Sequence, residues 1–552
     1  MKRSDFLSCL IQTAYLPKEL PPIITSRHFS KFCLDEFVFL EGQLGSLLKL
    51  STKYDTFTAP RSETGRRNLA LVHPLGQLPI SLLITKHRST IRKMLVNDGA
   101  SFYESNENIK KRLAFSGLNF ESWRAATKDL YSLFPIVLKA DISRFFYTIY
   151  THSIPWAVLG KDKAKQWHFN NPTNLKKHWS SDFDRALQVC QSRETFGIPV
   201  GPDTSRIIAE ILMCGMYSTT KLGEILGGGK SIRLVDDILI GFNDEEAAYA
   251  ALTKLRSIFW TYNLQLNEAK TGVFRTKILH DPKWKIDFES LVISESDEKQ
   301  QRKQIYLVLD MALHFCTETK SSTPANWASA RISQIKNNDY NFDVILEVLF
   351  RLARDFPKSI SHVCSFFINN QALCLKNNRS KLIELNLKNL LKLHIRYGHD
   401  FEIAWCLLAS SVMKITWQKD ELMSLDILPH SVVLAILGLM NEKHLLKFSF
   451  NSWAWKKKLK ETGALGEYWL PYYEAVRRGW TKDKKMVAAI KSQPVFAKML
   501  AAKITFLEDA VMTAGKIDLK KRVFGSKIGK NGSPIKYVGM DWTFTFPAED
   551  YS

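Results

Sequence analysis

At 552 residues the chain is longer than one hydrophobic core normally serves, and with 45% of its residues apolar a folded protein of two or three domains is expected. Its 77 Lys and Arg against 55 Asp and Glu give a formal charge of +22, which calls for a polyanionic partner: nucleic acid first, a membrane surface second. No apolar run approaches the roughly 18 residues that span a bilayer, and the opening MKRSDFLSCLIQTAYLPKELPP is interrupted by polar residues and Pro17, so neither membrane insertion nor a secretory signal is expected.

Up to about residue 300 strand-like and helix-like runs alternate, as in an α+β domain. The stretch RSETGRRNLALVHPLGQLP places Arg61, Arg66 and Arg67 on a loop leading into a strand, where guanidinium groups can clamp a triphosphate. FPIVLKADI reads as a strand ending on Asp141. In FGIPVGPDTSRIIAEIL, Gly197, Pro199, Gly201 and Pro202 precede a helix that Pro202 and Asp203 suit as a start, and the glycines permit close backbone approach, as under a template base or nucleotide. RLVDDILIGF is a second strand-like run carrying Asp236 and Asp237, followed by the amphipathic helix DEEAAYAALTKLRSIFWTY and a turn bearing Lys270. Past residue 300 helical-period segments follow one another to form a curved, HEAT-like array of helix pairs without a fixed repeat length. Basic residues thicken there: Lys456, Lys457, Lys458 and Lys460 follow Trp453 and Trp455, with Lys482, Lys484, Lys485, Lys520, Lys521 and Arg522 beyond. Singly these are solvated helix faces; together they offer a surface for a phosphate backbone. The tail KYVGMDWTFTFPAEDYS alternates like a strand or hairpin. The eight cysteines are scattered, with no C-x-x-C pair and no Cys/His ligand spacing, so reduced, buried thiols in a cytoplasmic protein are expected and a structural zinc site is not.

The acidic clusters carry the chemistry. An Asp-Asp dipeptide alone is a common turn, but here Leu234 and Val235 precede it and Ile238, Leu239 and Ile240 follow, so the carboxylates interrupt a run that belongs in a core, where unpaired charge is costly. A tight turn at Asp236 and Asp237 would let both reach one site. Three carboxylates brought together repel unless divalent cations neutralise them, and Mg²⁺, or Mn²⁺ in its place, takes such oxygen ligands along with substrate phosphates. Lys270 then becomes a group to neutralise or protonate a departing pyrophosphate.

Between residues 60 and 275 this order resembles the reverse transcriptases. DISRFF matches their first palm motif, GIPVGPDTSRIIAE the motif before the catalytic hairpin, LVDD the catalytic motif and LNEAKT the one after it. The resemblance implies a right-hand fingers and palm within residues 1–300 and a helical repeat domain with a basic end over 301–552. It implies Asp141 and Asp236 as metal ligands, with the Ile142 backbone carbonyl beside them, and Asp237 as the third carboxylate. It also implies Phe146 as the bulky residue that excludes a ribose 2′-OH, so that dNTPs are the substrates. Leu234 departs from the family, which usually carries an aromatic residue two positions before the Asp pair.

Val200 stands where retroviral and group II intron enzymes carry Gln. It resembles instead the bacterial abortive-infection, AbiK-like branch, whose helical repeats HDFEIAWCLLAS and WLPYYEAV are similar to. That branch implies antiphage defence by oligomers of this chain, through DNA synthesis that is template-independent and primed from a protein hydroxyl. Tyr472, Tyr473 and Tyr537 are candidates for that hydroxyl, with no choice among them. Two alternatives stay open: copying of an RNA template or dedicated non-coding RNA, and a catalytically idle nucleic-acid-binding scaffold.

Overall fold

In the computed structural model the described residues are 1–62, 65–97, 100–104, 114–115, 117–222, 229–279, 281–335, 339–376, 378–422, 430–448 and 455–513. Trp453, Lys520, Lys521, Arg522, Tyr537 and the expected terminal strand lie outside them. The described residues are mostly helical, and their strands form three small antiparallel sheets: β1 (Asp55–Pro60) with β2 (Arg66–Leu71), β3 (Tyr103–Glu104) with β4 (Gly117–Leu118), and a four-stranded sheet in the order β6-β7-β5-β8. In the last, β5 is Ile136–Ala140, β6 Ser231–Leu234, β7 Asp237–Phe242 and β8 Gly272–Arg275.

That sheet forms where the sequence is apolar on both faces of a strand. Residues alternate sides along an extended chain, and β5 uses both: Ile136, Leu138 and Ala140 enter the main core, while Val137 joins Trp123, Leu130, Ile232, Leu234 and Leu239 in a second cluster. The helix Phe120–Leu133 supplies Trp123 and Leu130 to that second cluster. Burial on both faces leaves the ends of β5 and the β6–β7 turn as the places where polar side chains can surface.

From Glu298 onward the described chain is helical, as the periodicity predicts. The boundary near residue 300 is a change of architecture rather than a break in the core, because buried side chains from Phe6 to Met512 form one continuous cluster. Backbone pairing ties the far end to the start: Thr25 N–H donates to the Phe506 carbonyl (2.8 Å) and Glu508 N–H to that of Ile23 (2.8 Å). Trp469, fully buried, donates its indole N–H to the Leu71 carbonyl at 3.1 Å. All eight cysteines are buried and free. Among the described residues no helix is long and apolar enough to cross a membrane.

Candidate active site

β5 runs out at Ala140 and delivers Asp141, 7% exposed, to the edge of the core. The chain segment after the helix Glu245–Thr261 lies alongside it. Ser143 N–H donates to the Gln265 carbonyl (2.8 Å), Asn267 N–H to the Asp141 carbonyl (2.8 Å), and Asp141 N–H to Thr271 Oγ1 (3.3 Å). Ile142 bridges to Leu266. These bonds set Lys270 Nζ 3.9 Å from Asp141 Oδ2. The lysine expected to meet a departing pyrophosphate lies beside the first carboxylate.

The second acidic cluster sits on the β6–β7 hairpin, with the turn one residue earlier than expected. Leu234 pairs with Asp237, so Val235 and Asp236 make the two-residue turn and Asp237 opens β7. Val235 has φ +61°, a left-handed conformation that suits the first position of a type II′ turn but strains a β-branched side chain. The β5–β7 register pairs Ala140, the residue before Asp141, with Ile238, the residue after Asp237, so the two acidic clusters leave the sheet at the same end. Asp236, at the turn, is freed from strand alternation, and both Asp236 and Asp237 are half-buried.

What holds this hairpin is a pair that sequence reasoning missed. Arg233, fully buried in β6, donates through Nη1 to Glu210 Oε1 (3.1 Å) and through Nη2 to Glu210 Oε2 (3.0 Å). Its Nη1 also reaches the carbonyl of Val235 in the turn, at 3.1 Å. Glu210, equally buried, lies on the helix Asp203–Thr219 and takes a further bond from Ser101 Oγ at 2.8 Å. The available signal was one charge inside each of two apolar stretches, RLV and IIAEIL: buried charges demand partners.

Phe146 follows Asp141 on the four-residue helix Phe145–Thr148, half-buried and edge-on to buried Phe145 at 5.6 Å. Its carbonyl accepts the Ile198 N–H at 2.8 Å, and Ile149 O takes that of Gly197 at 2.8 Å. The Gly-Pro loop is thus clipped to the Phe146 turn. Gly197 (φ +80°) would bring a Cβ 3.2 Å from the Tyr147 carbonyl, and Gly201 (φ +119°) would bring one 2.8 Å from Pro17. Close approach is what these glycines provide, but the approaching groups belong to the protein itself. Pro199 is buried and the Val200 carbonyl accepts the Ala70 N–H of β2 at 2.7 Å. Pro202 caps and Asp203 begins the following helix, as expected.

Arg66 departs most from its expected role. Its Nη2 donates to Glu402 Oε2 (2.9 Å) and to the Thr58 carbonyl (3.2 Å), and its Nη1 to Glu402 Oε1 (2.5 Å). Glu402 is fully buried, and its need for a counter-charge takes the guanidinium away from any triphosphate. Arg67, opposite Ala59 in β2, adjoins Asn68, whose carbonyl accepts the Tyr147 hydroxyl at 2.9 Å; that bond ties the β1–β2 hairpin to the Phe146 turn. Tyr472 and Tyr473 are core residues, the Tyr473 hydroxyl bonded to the Ile504 carbonyl at 3.0 Å, so neither is presented as a primer. Several lysines of the basic cluster have local partners: Lys460 pairs with Asp483 (2.7 Å), and Lys458 lies over the Tyr468 ring (4.7 Å).

No protein-family model matches the chain, and no curated protein does. Among solved structures it is similar to the telomerase of Candida albicans, determined in complex with a TWJ fragment of telomeric RNA, with 11% identity, 68% of this chain and 63% of that chain covered, and a TM-score of 0.29. The chain thus spans less than two thirds of the length of that neighbour, and the functional reading rests on the site itself.

Proposed function

We propose that this chain is a Mg²⁺-dependent nucleotidyltransferase that builds DNA from dNTPs, with Mn²⁺ able to serve in place of Mg²⁺. The observation that carries the reading is the β5–β7 register, whose last pair, Ala140 with Ile238, brings Asp141 out of the sheet at the same end as the turn bearing Asp236 and Asp237, with Lys270 3.9 Å from Asp141. Asp141, Asp236 and Asp237, with the Ile142 carbonyl, make an all-oxygen donor set, the kind that hard divalent cations take. Such cations, when bound, lower the pKa of an attacking hydroxyl and stabilise charge on the phosphoryl oxygens.

The chain's own groups then have separate tasks. The carboxylates fix the reacting centre at a strand end whose backbone is tied on both sides. Lys270 neutralises charge on the departing pyrophosphate, and Phe146, on the turn that follows Asp141, excludes the 2′-OH. In this reading homo-oligomers act in antiphage defence and extend single-stranded DNA from a protein hydroxyl without a template; copying of an RNA template or non-coding RNA would use the same site. Asp236→Ala combined with Asp237→Ala should abolish incorporation of labelled dNTPs in Mg²⁺ or Mn²⁺ while the circular dichroism spectrum is retained. A double variant that still incorporates nucleotide would sink the assignment; wild type that incorporates none with any primer or template would make the protein a binding scaffold. Sequencing the product separates templated from untemplated synthesis.

A further inference from the structure

A second cluster of metal-ligating side chains lies in the helical half. The helix Arg379–Tyr397 ends on Gly398 (φ +64°), and His399 N–H reaches back to the His394 carbonyl at 3.1 Å, a left-handed cap that only glycine adopts readily. The chain reverses there and the helix Asp400–Val412 begins at once. His394 in the last turn of one helix, His399 at the corner and Glu402 in the first turn of the next thereby converge. One ligand atom from each lies within 4.8 Å of the others, and the two Nδ1 atoms are 3.1 Å apart.

We infer that His394, His399 and Glu402 form a zinc site of three protein ligands with a fourth position left to water, distinct from the carboxylate site on the sheet. Two imidazoles and a carboxylate are a zinc donor set, and nitrogen ligands about 2.0–2.1 Å from a tetrahedral ion stand a little over 3 Å apart, close to the observed separation. His394 is buried and His399 only half-exposed, so the two ring nitrogens are held facing each other inside the corner between the helices. Glu402 is fully buried and already carries the Arg66 guanidinium. A carboxylate bonded to Arg66 keeps lone pairs for an ion. The site would brace the corner that grips the β1–β2 hairpin, since Arg66 belongs to β2 and Asp400 Oδ2 accepts from the Thr58 N–H (3.0 Å) and hydroxyl (2.9 Å) of β1.

The test is metal analysis of the full, tag-free chain by plasma mass spectrometry after dialysis, together with Co²⁺ substitution. About one zinc per chain is expected, with the visible absorption of four-coordinate Co²⁺ on exchange and a melting temperature lowered by chelator. His399→Ala, at a half-exposed position, and Glu402→Gln should each bring zinc content close to zero and remove the chelator effect. The Asp236→Ala, Asp237→Ala protein should keep its zinc, which separates this site from the proposed catalytic one. Wild type that takes up neither zinc nor Co²⁺, or His399→Ala protein that retains full zinc, would overturn the assignment and leave a histidine–histidine hydrogen bond at this corner.

Discussion

Arg233 shows how one residue decides whether the acidic hairpin can exist. Its guanidinium is buried against Glu210 and bonded to the Val235 carbonyl, so it neutralises a core carboxylate and pins the turn that presents Asp236. Val235 at φ +61° is a conformation that costs about 1–2 kcal/mol for a residue with a Cβ; the bond from Arg233 is one of the contacts that hold it. Arg233→Met leaves the buried Glu210 without its counter-charge, and should destabilise by about 3–5 kcal/mol in denaturant unfolding. Adding Glu210→Met should recover most of that loss while dNTP incorporation stays low, because the turn remains unpinned. Equal stability of the single and double variants would contradict this account.

At the scale of elements, the site is assembled by three segments that clip to one another. The LNEAKT segment lies along residues 141–143, the Gly-Pro loop hangs from the Phe146 turn, and β2 is joined to that loop through Val200 and Ala70. Gly197 tolerates little, since a Cβ there meets both a left-handed φ and the Tyr147 carbonyl at 3.2 Å. Gly197→Ala should cost about 1–3 kcal/mol, read as a lower melting temperature. Most of these elements were legible in advance: the strands around Asp141 and the Asp pair and the helix starting at Asp203 all follow from apolar periodicity and Gly/Pro punctuation. The turn was misplaced by one residue because adjacent aspartates suggest a turn more strongly than Val235 does, and a buried Arg233 bond outweighs local preference.

For the whole molecule, the helical half is part of the core that supports the β1–β2 hairpin. Trp469 bonds to Leu71, Glu402 to Arg66, and the Ala464 carbonyl lies 3.0 Å from His73 Nε2. A chain ended at residue 300 loses these partners and exposes apolar residues of a shared cluster, so it should be insoluble or lack cooperative unfolding; a soluble, cooperatively folding fragment would refute the single core. Taken alone, the amino-acid sequence determined the α+β to all-α change, the acidic clusters at strand ends, the basic excess and the burial of the cysteines, because each follows from local periodicity or composition. Only tertiary structure decided that Arg66 serves Glu402, that Arg233 and Glu210 carry the hairpin, that Lys270 stands beside Asp141, and that His394, His399 and Glu402 meet at one corner. The physical reason is that a charge entering a low-dielectric interior must find its partner wherever the fold provides one, and that partner is seldom a neighbour in sequence.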